Sequence, residues 1–313
     1  MIGRIVEIVG EGRYLHVSRG FLEINHRTEV LGRIPLDQIS ALIINAYGAT
    51  YSNQLLITMA QKGVPVVLCS DRHTPEAVML PCKTHHLQGA RLDTQLSASK
   101  PLQKRLWQQL VRAKLSLQGA VLEYYGGPSA PLYALVEKVK SGDSSNMEGV
   151  GARRYWPLLM GKGFRRDRTQ VEINSLLNYG YTVLRATMAR HLVATGLNPG
   201  IGLAHTNDGN PFRLVDDLME PFRPLVDGKV RSLVDSGVRE VNPLAKRLLV
   251  ELMVSPSSYE RGKGPLANAI EQVCVSLMQV YAGERKALSL PTFTVGSLVE
   301  FFQGCPNEQE DEA

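Results

Sequence analysis

At 313 residues, with 44% hydrophobic and 21% charged side chains, the chain has the composition of a globular protein and enough length for more than one core. No apolar run reaches the ~20 residues of a membrane span and the N-terminus has no signal-peptide pattern, so a cytoplasmic location is expected. The net charge is +5, and the acids Glu308, Glu310, Asp311 and Glu312 near the end leave the preceding body at about +9, a balance that favours a polyanionic partner.

The chain opens with short Val-, Ile- and Leu-rich runs at Ile2 to Val9, Arg13 to Ser18, Phe21 to Ile24 and Thr28 to Ile34. Gly10, Gly12 and Gly20 punctuate them at turn spacing, which predicts a small antiparallel β unit. Leu36 to Ile44 is a further apolar run, Ser52 to Lys62 has helical spacing, and Val64 to Cys69 reads as a strand. From about Leu92 the pattern turns helical. Leu96, Leu102, Leu106 and Leu110 form an apolar stripe, with Lys104, Arg105, Arg112 and Lys114 on the other faces. Thr169 and Glu172 read as a capping box opening a helix that ends before Gly196. Arg239 to Met253 and Pro265 to Ala282 predict further helices around a polar segment, Ser255 to Gly264. The fold expected is α+β and multidomain: an N-terminal antiparallel β domain (1–90), a larger all-α catalytic domain (91–303) and an acidic disordered tail (304–313). Cys69, Cys82, Cys274 and Cys305 are dispersed, as reduced structural thiols are.

The chemistry concentrates in Leu203 to Asp227. His205 is followed by a polar turn, then by Asn210 as a candidate cap and Pro211 as a first helical residue. Asp217 and Glu220, three apart, fall on one helical face, where they repel unless solvent, an arginine or a cation neutralises them. With His205 nearby, they point to a metal site. Oxygen ligands suit Mg²⁺, and an imidazole shifts the preference towards Mn²⁺. A third ligand is needed, and Glu148 in N-M-E-G-V-G-A-R-R-Y-W is the best candidate, a carboxylate placed to start a helix after a Ser- and Gly-rich linker. Beyond it, six cations face a lone acid, Asp167, over Gly149 to Arg168, interleaved with Tyr155, Trp156 and Phe164. That pattern suits phosphates and unpaired bases.

The motifs M-E-G with R-R-Y-W, N-S-L-L-N-Y-G-Y, G-L-A-H-T-N and D-L-M-E-P-F-R-P, in this order, resemble those of the CRISPR-associated adaptation integrase, the large subunit that inserts new spacers into CRISPR arrays. The last of them is similar to the form found with type II systems. The resemblance implies a β domain followed by a helical catalytic domain. It implies a catalytic Mg²⁺ or Mn²⁺ bound by Glu148, His205 and Glu220, with Asp217 as a supporting acid. It also implies a homodimer joined by the β domains, a complex with a small second adaptation protein, and DNA as substrate, both prespacer and CRISPR repeat. Arg165, Arg166, Arg168 and Arg223 are the candidate phosphate contacts. The expected activity is metal-dependent DNA cleavage and joining of 3′-hydroxyl ends into the repeat. Loss of either Glu148 or Glu220 is expected to abolish catalysis with folding intact.

Other readings stand beside these. A lone histidine after a glycine turn is commonly structural, and acids three apart commonly form a solvated face. A non-haem iron site lacks a second histidine near His205. Cys69, His73, Cys82, His85 and His86 lack the close cysteine pair of a zinc site. The rivals to the integrase reading are a structure-specific DNA nuclease that joins nothing and a non-catalytic DNA-binding scaffold. Asn178 to Tyr181 reads as helix packing with a glycine contact.

Overall fold

The computed structural model describes residues 4–46, 48–70, 75–81, 85–167 and 169–303. His73, Cys82, Arg168 and the acidic tail therefore lie outside the described residues. The β-rich part runs β1 (Arg4–Ile8), β2 (Arg13–Ser18), β3 (Phe21–His26), β4 (Glu29–Pro35), β5 (Ile39–Ile44), β6 (Thr50–Tyr51), helix α1 (Asn53–Gln61), β7 (Val66–Cys69) and β8 (Pro75–Met79). Helices follow: α2 (Gln88–Leu96), α3 (Lys100–Tyr124), α4 (Ala130–Val136), α5 (Met147–Met160), α6 (Ile173–Ala194), α7 (Arg213–Met219), α8 (Arg223–Asp235) and α9 (Pro243–Glu251). A hairpin, β9 (Pro256–Tyr259) and β10 (Gly262–Pro265), precedes α10 (Leu266–Tyr281) and α11 (Val295–Gln303). None of the described helices is long and apolar enough to cross a membrane.

The order of a β domain and then a helical one is as the sequence predicts, but the sheets differ in detail. The meander β2–β3–β4 is antiparallel, and Arg19 and Gly20, both at positive φ, make the two-residue turn that matches strand twist. The other sheet, in the order β1-β5-β7-β8, is not antiparallel throughout: β1 and β7 run parallel to β5. The cause is burial on both faces. Leu42, Ile44 and Val66 pack with Leu15, Leu22, Leu55 and Met59 in the β-domain core, while Ala41, Ile43 and Val67 join the helical core. A strand covered on both sides reads as an unbroken apolar run, and its parallel neighbours need the intervening hairpins and α1 as crossovers.

The helical part is not all-α, because the segment predicted as a polar connection forms the β9–β10 hairpin. The single stripe from Leu96 to Leu110 is two helices. Ser99 accepts the Leu102 N–H and Pro101 sits in the first turn of α3, whereas Leu96 ends α2 with 62% of its surface exposed. The Thr169–Glu172 capping box does not form. Asp167 accepts both the N–H and the hydroxyl of Thr169, and Glu172 takes a positive φ at the start of α6. Likewise α9 starts only at Pro243, capped by Asn242, rather than at Arg239. Helix α6 is buried nearly all round, the mark of a central helix. Gly180 is its contact point with α8 and α9, since a Cβ there would lie 2.4 Å from Val226 Cγ1 and 3.2 Å from Leu249 Cδ2. Glu7 of β1 ties the two parts together, accepting from Tyr179 Oη (2.7 Å) on α6 and pairing with Lys246 Nζ (2.8 Å) on α9.

Candidate active site

Glu148 lies in the first turn of α5, and its position is set by three residues around it. Asn146 accepts the Gly149 N–H (3.1 Å), while Asp143 accepts the N–H groups of Met147 (2.8 Å) and Glu148 (2.9 Å). These bonds satisfy the helix start, where the macrodipole also favours a carboxylate. Gly151 then lets α5 approach α3, because a Cβ at that position would fall 2.3 Å from Leu115 Cδ2. That close approach brings Glu148 to Lys114, the residue beside Leu115.

Glu220 follows the last residue of α7. The chain tightens there into a 3-10 turn, Glu220–Phe222, and Pro221 and Pro224 start the next helical segments. Asp217 and Glu220 do lie on one helical segment, but they turn to different partners. Asp217, with no exposed surface, faces the loop before α7; it accepts the N–H groups of Leu203 (2.6 Å), Ala204 (3.1 Å) and His205 (3.3 Å), and its Oδ1 lies 2.5 Å from His205 Nδ1. Gly202 permits this wrap, since a Cβ there would meet Asp217 Oδ2 at 2.9 Å. A carboxylate only accepts, so Nδ1 carries the proton and Nε2 of His205 keeps its lone pair. The hydrogen bond to Asp217 raises the His205 pKa above its ordinary value, against the opposing effect of burial. The Trp107 ring stands edge-on to the imidazole at 5.7 Å between centroids.

Two cations neutralise Glu220. Arg223 Nε lies 2.9 Å from Oε1, and Lys114 Nζ lies 2.5 Å from Oε2. Burial alone would raise the Glu220 pKa, but these charges hold it down to about 2. Lys114 reaches Glu148 Oε1 as well, again at 2.5 Å. The two carboxylate oxygens are therefore no farther apart than twice that distance, although Glu148 and Glu220 belong to different helical segments. Lys114 was expected on a solvated face, yet it is 7% exposed. The signal for this was in the stripe itself: Leu106, Leu110 and Lys114 are spaced by four, so Lys114 falls on the face of α3 that the leucines bury.

Glu148, His205 and Glu220 line one cleft together with Lys114, Gln118, Trp156, Arg166, Tyr181, Asp216, Arg223 and Asp227. Asp227 is a buried acid the sequence reading missed. It accepts from the Tyr181 hydroxyl, and burial raises its pKa to about 7. The predicted helix start at Asn210 and Pro211 is also displaced. Helix α7 begins at Arg213, and Asn210 instead accepts the Phe212 N–H (3.0 Å) and donates to Asp216 (2.7 Å), which is paired with Arg185.

The candidate phosphate contacts separate by environment. Arg165 is exposed. Arg166 is half-buried, donating to Asn174 (3.0 Å) and Asn178 (2.8 Å), with its guanidinium 5.4 Å from the Tyr181 ring centroid. Arg223 is half-buried between Glu220 and the face of the same tyrosine ring, 4.7 Å from its centroid. Of the three aromatics that could stack on bases, Tyr155 is fully buried and unavailable, whereas Trp156 faces the cleft.

As metal ligands, two carboxylates and an imidazole with a free Nε2 lone pair are the right chemistry for Mg²⁺ or Mn²⁺. The carboxylates already share a cation, the Lys114 ammonium. Among the described residues no three His, Cys, Asp or Glu side chains converge closely enough to bind an ion as they stand. The donor set therefore fits a divalent cation in kind, while its two carboxylates are joined by Lys114 as they stand.

A family model described as CRISPR associated protein Cas1 matches residues 6–247. The CRISPR-associated endonuclease Cas1 of Neisseria meningitidis serogroup C (strain 8013) is 35% identical over 298 residues, covering 94% of this chain and 97% of that protein. A CRISPR-associated endonuclease Cas1 of Pyrobaculum aerophilum is 28% identical, over 83% of this chain and 91% of its own. Among solved structures, a casposase bound to integration product has a TM-score of 0.79 at 21% identity, covering 99% of this chain and 95% of that one. A Cas1 protein from Thermotoga maritima has a TM-score of 0.71 at 16% identity, covering 90% and 97%. At these identities the two structural likenesses are of fold.

Proposed function

The chain belongs to the CRISPR-associated Cas1 family, and from that membership we propose that it is a metal-dependent DNA endonuclease and integrase. In this reading it joins 3′-hydroxyl ends of prespacer DNA into a CRISPR repeat by phosphoryl transfer, the step of spacer acquisition in antiviral defence. The observation that carries the proposal is the meeting of Glu148 and Glu220 on one cation in a cleft that also holds His205. Curated relatives named as endonucleases support the cleavage half. The fold shared with a casposase bound to integration product supports the joining half.

Glu148, Glu220 and His205 Nε2 would hold Mg²⁺ or Mn²⁺. When bound, the ion would supply charge neutralisation at the scissile phosphate and acidify the attacking hydroxyl, which are the main demands of phosphoryl transfer. Asp217 orients the imidazole and fixes its tautomer, as outer partners of metal-bound histidines do. Arg166 and Arg223 set a positive field at the base of the cleft, and Arg165 adds charge for the DNA backbone outside it. Water or a DNA 3′-hydroxyl occupying the same position would give cleavage or integration.

We further propose a cytoplasmic homodimer joined by the β domains, working with the small second adaptation protein. Tyr14, Phe21, Val30, Leu31 and Tyr51, on all four strands of the β4-β3-β2-β6 sheet, are each more than a third exposed, which supports burial of this sheet in a dimer.

The deciding experiment measures cleavage and strand transfer separately, using a supercoiled plasmid carrying a repeat, with and without the small partner. Products that require Mg²⁺ or Mn²⁺ and vanish in Glu148→Ala support the proposal. Cleavage without joining under every condition leaves a nuclease, and metal-independent DNA binding with neither product leaves a scaffold.

A further inference from the structure

We propose that Lys114 is an internal counter-ion that exchanges with the divalent cation: it holds Glu148 and Glu220 together in the metal-free protein and leaves them when the ion enters. The inference rests on the metal site proposed above. Its first ground is the use of oxygens. Both oxygens of Glu220 already contact a cation, Oε1 with Arg223 and Oε2 with Lys114, and Glu148 Oε1 is taken by Lys114 as well. Each oxygen has a second lone pair, but a divalent ion bound there would stand within a few ångströms of the ammonium that contacts Glu220 at 2.5 Å, and the repulsion between the two cations favours displacement of one of them.

The second ground decides which cation moves. Arg223 is packed over the Tyr181 ring, with its planar head fixed by that stacking and by Glu220. Lys114 carries a compact charge on a flexible four-carbon stem, so it can withdraw without dismantling a neighbour. The third ground is a vacant acceptor. Gln118, one turn along the same face of α3, is 2% exposed and lines the cleft, and its Oε1 is buried with no hydrogen-bond partner among the described residues. A buried carbonyl oxygen left unpaired is costly, and an ammonium displaced from Glu148 would satisfy it. The absence of three converging ligands among the described residues fits the same account, since the ammonium stands between two of them.

Lys114 is thus a positioning residue. Without it, two partly buried carboxylates would repel in the metal-free state, and with it the pocket is preformed at the cost of competing with the ion.

The test titrates Mn²⁺ into the full chain, following free ion by electron paramagnetic resonance, for wild type, Glu148→Ala and Lys114→Met. The expected result is that Lys114→Met binds Mn²⁺ roughly tenfold more tightly than wild type while Glu148→Ala binds it more weakly. Metal-free Lys114→Met should also unfold at lower temperature than wild type and regain the difference when Mn²⁺ is added. Equal affinity in Lys114→Met and wild type, with Glu148→Ala still weakened, overturns the exchange but leaves the metal site standing. No binding by any of the three overturns both. A variant that folds only in Mn²⁺ supports the exchange, and one that fails to fold even in Mn²⁺ counts against it. A crystal structure of the Mn²⁺-loaded wild type gives an independent reading. The Lys114 ammonium should have left at least one of the two carboxylates, and an ion bound at Glu148 and Glu220 with both contacts intact would overturn the proposal.

Discussion

The buried carboxylate of Asp217 bridges the His205 side chain and the backbone of its own loop, with Oδ2 accepting the Leu203 and Ala204 N–H groups and Oδ1 lying 2.5 Å from His205 Nδ1. Its four oxygen lone-pair positions are thus used to hold one tautomer and one ring orientation. In Asp217→Asn the two backbone donors still require an oxygen, so the amide NH₂ turns towards Nδ1 and forces the proton onto Nε2. Activity should fall about 10- to 100-fold, the usual cost of losing such an outer partner. The pH profile gives a second check. Asp217 raises the His205 pKa in the metal-free protein, so at one subsaturating Mn²⁺ concentration the acid limb should move down in the variant relative to the wild type. Rates measured against pH for both proteins test this, and an unmoved acid limb would remove His205 from the site.

Glu148 and Glu220 should be equally necessary for catalysis but unequal for stability. The Glu148 side chain is 32% exposed, whereas that of Glu220 is 8% exposed between the buried Lys114 and the half-buried Arg223. Glu220→Ala leaves Arg223 without its carboxylate and Lys114 with only Glu148. A broken buried pair of this kind costs about 3–5 kcal/mol. Glu148→Ala should cost far less, so the two variants should differ in stability although the sequence alone predicts intact folding for both. Urea denaturation of the two variants, beside a strand-transfer assay, separates the effects, and equal stability losses would contradict the burial argument.

What was legible in the sequence follows the range of the interactions involved. Glu148, His205 and Glu220 sit in motifs whose neighbours act locally, such as the Asn146 cap and Gly202, so their association could be read from the chain alone. The glycine contact expected at Asn178 to Tyr181 is the approach of α6 to Val226 and Leu249. The burial of Lys114 is signalled by its spacing from Leu106 and Leu110, but its carboxylate partners and the burial of Asp227 were not legible, because a charged residue on a helix reads as solvated until a partner from a distant segment is seen to bury it. The parallel strands were missed for a similar reason: pairing of β1 with β5 depends on a second covering layer, while hairpin turns announce themselves within a few residues.

Asp227 predicts a stability that falls as pH rises. Burial raises its pKa to about 7 from an ordinary 3.8, so its contribution is complete below 3.8 and is lost as pH rises through about 7. His205, also raised, acts in the same direction above ~6.5. The contributions of His191, lowered to about 4 by burial, and of Glu220, lowered to about 2, are complete above their ordinary 6.5 and 4.5 and are lost only as pH falls below those values. Between about pH 6.5 and 7, where the opposing changes of His191 and Glu220 are already complete, the metal-free wild type should therefore lose thermal stability, and Asp227→Asn should flatten that slope. Melting curves in the presence of a chelator test it; parallel slopes for the two proteins would show that Asp227 is ionised throughout.

The arginines downstream of α5 should divide into one that reads DNA and one that holds the fold. Arg165 is exposed, and its backbone carbonyl, not its guanidinium, is held, by Asn174 (3.2 Å). Arg166 spends its donors on Asn174 and Asn178 inside the cleft. Each phosphate contact releases condensed counterions, so losing one reduces the slope of log affinity against log salt by ~0.9 on duplex DNA, similarly for all sequences. Arg165→Gln should show that reduction with unchanged stability. Arg166→Gln should instead lower stability by about 1–3 kcal/mol, the range for losing hydrogen bonds made by a charged group, because its bonds to Asn174 and Asn178 are lost. Salt-dependent binding and urea denaturation on both variants supply the four numbers needed. If Arg165→Gln leaves the slope unchanged, Arg165 belongs to a solvated face, and a reduced slope in a fully stable Arg166→Gln would instead place the phosphate inside the cleft.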